Sequence, residues 1–319
     1  MKLVKELKGG SLSKTAVYTD GSNKWVRKSI LISDNREYGL VRWQSQLRKL
    51  QLLGKQLPKN VISVFNSGIE NDYYFFDIPY IPNSHNLYEA LQNDVDARLV
   101  AKKLAKLIKV LASKKLNSIK GSISLYISEE VKRPMLLALE VISDNANNLS
   151  FDEVKTLKIR IRKSLKIVEQ LIFKYYNVEV HECLTHGNLT LENAIWDYET
   201  QNIILIDPYA ETYCETILGD VSQIYQSSIS GYEAVSNYIV EEDYNVLNYP
   251  YNQITKTLEN FSIYLKKHLS NEQWYDEQIL LILRASQFTR MFPFKLVNNP
   301  RSGFLFINHA VELIGKIRC

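Results

Sequence analysis

Apolar and polar positions alternate along the first part of the chain, and a two-residue period of this kind predicts strands. An Asp-Gly pair at 20–21 adds a strong signal for a hairpin. The alternating runs are, in chain order, residues 3–7, 15–19, 25–30, 61–68 and 73–80. The pattern therefore predicts five strands in one antiparallel sheet.

A period of three to four residues predicts helices elsewhere in the chain. One helix, at 34–53, separates the third strand from the fourth, and most of the sequence beyond residue 80 follows the same period. We therefore expect an α+β, two-lobed fold. Its small N-terminal lobe, 1–80, would hold the five-stranded antiparallel sheet and one helix, and its larger lobe, 81–319, would be mainly helical.

Composition and charge exclude several classes of protein. The chain has 319 residues, 45% of them hydrophobic and 23% charged, which is ordinary for a globular protein. A net charge of +4 is too small to argue for nucleic acid. No apolar run reaches the roughly 20 residues of a membrane span, so we expect no membrane partner. Three cysteines without paired or metal-type spacing favour a cytoplasmic location, and Cys183 is more readily a buried strand residue than a nucleophile.

A helix predicted over 94–114 carries lysines on the face opposite to its apolar residues. These are Lys102, Lys103, Lys106 and Lys109. The stripe is compatible with an anionic partner, but a solvated helix face is the more common explanation.

Chemistry is concentrated between residues 186 and 207. Asn193 stands directly before a short apolar run at 194–196, and Asp207 directly follows a second run at 203–206, with a polar turn between the two. The two strands of such a hairpin bring an amide side chain and a carboxylate together. Amide and carboxylate oxygens suit a hard divalent cation such as Mg²⁺.

A second candidate cluster lies in the first three predicted strands. Gly9, Gly10, Ser11 and Ser13 form a small-residue loop, in which backbone N–H groups can approach phosphates closely. Val26 and Lys28 share one face of the third strand. The alternative is that Lys28 and its neighbour Arg27 belong to a solvated strand edge.

The stretch from His186 to Asp207 resembles the catalytic and metal loops of the aminoglycoside phosphotransferase and choline kinase family, which has the protein-kinase-like fold. The family pattern His-Gly-Asp-x-x-x-x-Asn, followed by a strand and Ile-Asp, matches at His186, Gly187, Asn193, Ile206 and Asp207. A narrower resemblance, to bacterial capsule-associated or uncharacterised phosphotransferases, rests on Asp207-Pro208, Asp220, Gln226-Ser227 and Gly231-Tyr232-Glu233.

The resemblance implies a cofactor and a role for each candidate residue. ATP or GTP would bind with Mg²⁺, which Asn193 and Asp207 would hold. Lys28 would contact the phosphates and His186 would organise the catalytic loop. Further nucleotide contacts would come from the loop residues Gly9, Gly10, Ser11 and Ser13, from Val26 on the adenine, and from the inter-lobe segment at Pro79 and Ile81.

Two positions depart from the family pattern. Asn188 stands where the family has its catalytic aspartate, and Gln46 stands where a helix glutamate would hold the strand lysine. Asparagine accepts a hydrogen bond but is a very poor base. Three interpretations follow: an active phosphotransferase that tolerates Asn188, an enzyme altered at this position, or a pseudokinase that binds nucleotide without turnover.

We therefore expect an ATP-dependent phosphotransferase that acts on a hydroxyl group of a small molecule, such as a sugar or a glycan precursor. The alternative is a nucleotide-binding pseudokinase or regulatory protein. The sequence identifies neither the acceptor nor the oligomeric state.

Overall fold

The computed structural model describes residues 1–7, 13–32, 36–93, 95–209, 212–237, 245–248 and 254–318. Five strands form an antiparallel sheet in the order β1-β2-β3-β5-β4. Their bounds are β1 Lys2–Leu7, β2 Lys14–Thr19, β3 Lys24–Leu31, β4 Asn66–Glu70 and β5 Tyr73–Pro79. The predicted five-stranded antiparallel sheet is therefore confirmed.

The fourth predicted strand begins later than the sequence pattern indicated. Residues 61–65 lie outside the sheet, and Val61 instead forms an isolated parallel bridge with Leu205. The backbone of this segment is fixed by an Ile62 N–H that donates to the Leu205 carbonyl at 3.0 Å. Val61 and Ile62 are buried, but their backbone pairs with a residue that is distant in sequence and not with the neighbouring strand.

Helix α1, Arg36–Gln56, packs on the five-stranded sheet. Its apolar face includes Leu50 and Leu53, which are buried, and Trp43, whose ring lies 5.3 Å from that of Tyr74 on β5. The single helix predicted between the third and fourth strands is confirmed.

A second, three-stranded sheet has the order β6-β7-β8. Its strands are Ser84–Asn86, Ala194–Asp197 and Asn202–Leu205, and the short helix α2, Leu87–Gln92, follows β6 directly. The predicted hairpin at 194–206 is thus confirmed as β7 and β8. Gln201 completes its turn with a φ of +50°.

The remaining described elements are helical. They are α3 Ala97–Ala112, α4 Ser122–Ile127, α5 Arg133–Val141, α6 Phe151–Tyr175, α7 Ile217–Ser228, α8 Tyr232–Asn237, α9 Lys256–Leu269, α10 Glu277–Thr289, α11 Phe292–Asn298 and α12 Pro300–Ile314. A capping box begins α6, because Ser150 accepts from the Glu153 N–H while the Glu153 carboxylate accepts from the Ser150 N–H. The described C-terminal part is mainly helical, which confirms the α+β fold class.

The chain forms two compact units. The first comprises residues 1–93 and 186–211, so it contains both sheets and α1, and the second comprises residues 94–185 and 212–319. All candidate site residues belong to the first unit. The predicted division of the chain at residue 80 stays a prediction.

Candidate functional site

The β7–β8 hairpin places Asn193 and Asp207 side by side. Ala194, which follows Asn193, pairs with Leu205 across the hairpin. At the next pair of residues beyond Ala194 and Leu205, the Ile206 N–H donates to the Asn193 carbonyl at 2.9 Å. Asp207 follows Ile206 directly. The two candidate metal ligands therefore leave adjacent strands at the same end.

Asp207 also receives two side chains that come from far away in the sequence. The ammonium group of Lys28, on β3, contacts the Asp207 carboxylate across a separation of 179 residues. The Gln46 amide, on α1, donates to the same carboxylate oxygen and also to the Pro208 carbonyl at 3.1 Å. The described hydrogen bonds of Gln46 thus go to the segment 207–208, whose carboxylate Lys28 also contacts.

The backbone at Asp207 is left-handed, with a φ of +56°. This conformation costs about 1–2 kcal/mol for a residue that has a Cβ atom, although aspartate tolerates it better than most residues. Several bonds hold it in place. Besides Lys28 and Gln46, the Asn188 amide donates to the Asp207 carbonyl at 3.2 Å. Strain that is held by convergent bonds is typical of functional sites.

The catalytic-loop candidates are packed tightly against the segment that follows Asp207. The Asn193 amide donates to the Asn188 carbonyl at 2.8 Å, and the Tyr209 N–H donates to the His186 carbonyl at 3.0 Å. Gly187 has a φ of +77°, and a Cβ atom at this position would lie 2.1 Å from the Tyr209 carbonyl oxygen. Only glycine fits here without moving its neighbour.

His186 is completely buried. Burial, with a smaller effect from the nearby charge of Lys49, lowers the pKa of its imidazole to about 4, although Asp207 opposes the shift. The ring is therefore neutral at pH 7, which fits a residue that organises the loop.

The other predicted nucleotide contacts are distributed as follows. Val26 pairs with Val17 and Ile78 on the adjacent strands, on the same face of the sheet as Lys28. Pro79 ends β5, and the carbonyl of Ile81 accepts from Ser84 at 2.8 Å. Ser13 is half-buried directly before β2. Gly9, Gly10 and Ser11 lie outside the described residues.

Neither of the two basic side chains at 27 and 28 belongs to a solvated edge. Arg27 forms a two-point ion pair with the buried Asp77, with N–O distances of 2.7 and 2.9 Å. Asp77 and Glu70 raise the pKa of Arg27 above its usual value. Lys28 is directed to Asp207 instead, so the two neighbours serve opposite faces of the sheet.

Sequence reasoning missed two residues of α1, Arg42 and Lys49. The Lys49 side chain is buried, and its ammonium group lies 3.3 Å from where a Cβ atom on Gly187 would be. The Arg42 guanidinium lies 5.7 Å from the centre of the Tyr209 ring. Together with Gln46, these residues recur at steps of four and three, so they share one polar helix face. That spacing was visible in the sequence.

The donor set fits Mg²⁺, provided that other oxygens complete the coordination. Within the described part of the chain, no three His, Cys, Asp or Glu side chains cluster in a way that could hold a metal. Asp207 contributes the carboxylate, and the amide nitrogen of Asn193 is engaged by Asn188, which leaves its amide oxygen as the ligand atom. Mg²⁺ is commonly held by one or two protein oxygens together with phosphate and water.

The surroundings of Cys183 do not favour a nucleophilic role. It is completely buried, and burial raises the pKa of its thiol to about 12. The thiolate is therefore scarce at neutral pH, in agreement with its prediction as a buried residue.

Comparison with known proteins supports the fold. No family model and no curated protein matches the chain. Among solved structures, a fructosamine-3-kinase-like protein from Haemophilus somnus 129PT has a TM-score of 0.58 at 15% identity, over 99% of this chain and 90% of that chain. A glucosamine kinase has a TM-score of 0.54 at 10% identity, over 98% of this chain and 96% of that chain. At these identities the likeness concerns the fold alone, and the chain therefore has the protein-kinase-like fold of these structures.

Proposed function

We propose that the protein is an ATP-dependent phosphotransferase that transfers phosphate to a hydroxyl group of a small molecule. One observation carries the proposal: Lys28 on the sheet and Asp207 beyond the hairpin meet although 179 residues separate them. A lysine and a carboxylate in contact at the end of such a hairpin are the groups that a phosphoryl-transfer site needs for the phosphates and the metal. The two solved structures compared above are named as kinases of amine-bearing sugars, which favours a sugar or a glycan precursor as the acceptor.

The proposed roles follow from the contacts. Lys28 would exchange Asp207 for nucleotide phosphates, and Asp207 would turn to Mg²⁺ together with Asn193. The bound metal ion would supply charge neutralisation to the transferred phosphoryl group. Gln46 would hold the Asp207–Pro208 segment in position, and the buried His186 would keep the loop 186–188 in place.

Asn188 determines how fast transfer can be. Its amide nitrogen is engaged by the Asp207 carbonyl, so its amide oxygen is the atom that can accept a hydrogen bond from an acceptor hydroxyl. Phosphoryl transfer through a loose transition state depends on positioning more than on a base. We therefore expect slow turnover, which an aspartate at this position would accelerate.

The alternative, a pseudokinase that binds nucleotide without turnover, is favoured by a specific observation. Both positions at which the resembled family has carboxylates, 46 and 188, carry amides that donate to Asp207. On this alternative, nucleotide would bind and no phosphate would be transferred, even after Asn188→Asp.

The first experiment is a thermal-shift titration with ATP and GTP, with and without Mg²⁺. A ligand at a hundredfold excess over its dissociation constant stabilises the folded state by about 2.7 kcal/mol. Lys28→Met should abolish the shift. Lys24→Met is the matched control, because Lys24 lies on the same strand but is exposed. A shift that survives Lys28→Met would contradict the proposed site.

Turnover then separates the two functions. With amino sugars and other hydroxylated acceptors, Asn188→Asp should raise the rate at least tenfold while the nucleotide affinity changes little. Nucleotide binding without turnover in either form would favour the pseudokinase. Absence of any nucleotide shift would count against both.

A further inference from the structure

Exposed apolar side chains occur in the second unit at the end of α6 and on the loop that follows α3. We call this set of side chains the apolar tip. Its side chains and their exposed fractions are Leu116 (47%), Ile119 (64%), Phe173 (86%) and Tyr176 (67%). The loop and the helix end are neighbours, because the Gly121 N–H donates to the Val178 carbonyl at 3.1 Å.

The backbone beneath the apolar tip is well fixed. The Leu116 N–H donates to the Glu182 carbonyl at 3.0 Å, and the Ile119 N–H donates to the buried Glu182 carboxylate at 3.2 Å. Gly121, with a φ of +75°, closes the loop so tightly that a Cβ atom there would lie 2.6 Å from the Tyr176 carbonyl oxygen. The fold therefore presents these apolar side chains to solvent on a rigid support.

The loop that carries Leu116 and Ile119, and the helix α3 before it, are basic. No Asp or Glu occurs between residues 97 and 128, and the same stretch contains Arg98, Lys102, Lys103, Lys106, Lys109, Lys114, Lys115 and Lys120. The three lysines of the loop, at 114, 115 and 120, are exposed beside the apolar tip.

The basic surface continues along α3. Lys102, Lys106 and Lys109 line a groove of about 340 Å³ together with His268. Acidic groups moderate the charge, since Lys109 pairs with Glu272 at 2.7 Å, Glu179 is exposed close to the loop, and the Glu182 carboxylate lies beneath it.

We propose that the apolar tip and its lysines bind the surface of an anionic lipid bilayer. Exposed aliphatic and aromatic side chains can enter the boundary between headgroups and acyl chains, and adjacent lysines are attracted to anionic headgroups. A soluble polyanion would account for the lysines but would leave the apolar tip without a role. This proposal is independent of the proposed phosphotransferase activity.

Such binding is peripheral and needs no membrane-spanning segment. None of the helices in the described ranges is both long and apolar enough to cross a bilayer. The lack of a long apolar run in the sequence therefore does not oppose peripheral binding, and the exposed apolar side chains next to α3 distinguish this surface from an ordinary solvated helix face.

The test is co-sedimentation of the full chain with vesicles of phosphatidylcholine, with and without phosphatidylglycerol. We expect binding only to the anionic vesicles, and weaker binding as salt increases. Lys114→Gln/Lys115→Gln/Lys120→Gln should weaken the partition on the order of a hundredfold, since each lysine near the surface contributes a factor of about five. Leu116→Ser/Ile119→Ser should weaken it at least about tenfold.

Phe151→Ser is the matched control. Phe151 is 81% exposed at the start of α6, about 33 Å along the helix from Phe173, so its loss should leave vesicle binding unchanged. The proposal is overturned if the wild-type chain does not bind anionic vesicles. It is also overturned if the Leu116→Ser/Ile119→Ser variant binds these vesicles as strongly as the Phe151→Ser variant does. Binding to polyuridylate that needs the lysines but not the apolar tip would also overturn it, in favour of a soluble polyanion. Thermal unfolding of each variant verifies that it is folded.

Discussion

Gly187→Ala tests the packing of the catalytic loop directly. Two separate penalties are expected. The first is conformational: a φ of +77° costs a residue with a Cβ atom about 1–2 kcal/mol. The second is steric, because the new Cβ atom would lie 2.1 Å from the Tyr209 carbonyl oxygen, whereas ordinary contacts begin at 3.4 Å.

The steric penalty can be sized from these distances. The difference between 3.4 and 2.1 Å means that backbone must move by about 1.3 Å, and insertion of a methyl group into a packed site of this kind typically costs about 1–3 kcal/mol. The expected loss in the free energy of unfolding is therefore about 2–5 kcal/mol. Since Tyr209 is bonded to His186 and stands two residues after Asp207, the displacement should also weaken binding of Mg²⁺ and ATP at least about tenfold.

Gly21→Ala provides the control. Gly21 has a φ of +103°, and a Cβ atom there would meet nothing within 4 Å, so this variant carries the conformational penalty alone. Urea denaturation and nucleotide titration of both variants separate the two effects. If Gly187→Ala loses no more stability than Gly21→Ala and binds nucleotide normally, the tight packing of residue 187 on Tyr209 is refuted.

Three further predictions concern stability. Gln46→Glu should destabilise the protein without nucleotide by about 1–3 kcal/mol in urea denaturation, because it replaces a donor to Asp207 with a like charge; the exposed Gln51→Glu on the same helix should change it by less than about 0.5 kcal/mol. For His186, the pKa in the folded state, about 4, is lower than in the unfolded state. The unfolded state therefore binds a proton at a higher pH than the folded state does. Between pH 7 and pH 5, the free energy of unfolding should fall by about 2 kcal/mol more in the wild-type protein than in a His186→Gln variant. An equal fall in the two proteins would contradict burial of a neutral ring. Ser150→Ala should cost about 1 kcal/mol by removal of the α6 cap, read from the unfolding midpoint, and an unchanged midpoint would show that the cap contributes nothing.

Local sequence patterns sufficed where the structure depends on local periodicity. The β7–β8 hairpin follows from two short apolar runs around a polar turn, and it fixes Asn193 next to Asp207 without help from other elements. The α6 cap is equally local, since Ser150 and Glu153 satisfy each other. In both cases the interacting groups lie within about a dozen residues of each other. The hydrophobic period and the turn or cap residues are therefore enough to predict these elements.

Long-range partners could not be predicted in this way. The sequence pointed to Gln46 as a partner of Lys28, yet both side chains converge on Asp207, which lies 161 and 179 residues away from them. Lys49 was missed because a lysine in a helix is usually solvated, and only its burial against Gly187 shows otherwise. Such choices depend on which surfaces tertiary packing brings together.

The two departures from the family pattern are consistent with each other when the donors and acceptors are compared. A glutamate at 46 and an aspartate at 188 would be acceptors only, and they would add two negative charges beside that of Asp207. The amides of Gln46 and Asn188 instead donate to Asp207, one to its carboxylate and one to its carbonyl. Both amides therefore support the segment in which Asp207 has a left-handed backbone. A carboxylate at either position would lose the bond that the amide donates to Asp207, so support of the Asp207 backbone and basicity at position 188 oppose each other in this site.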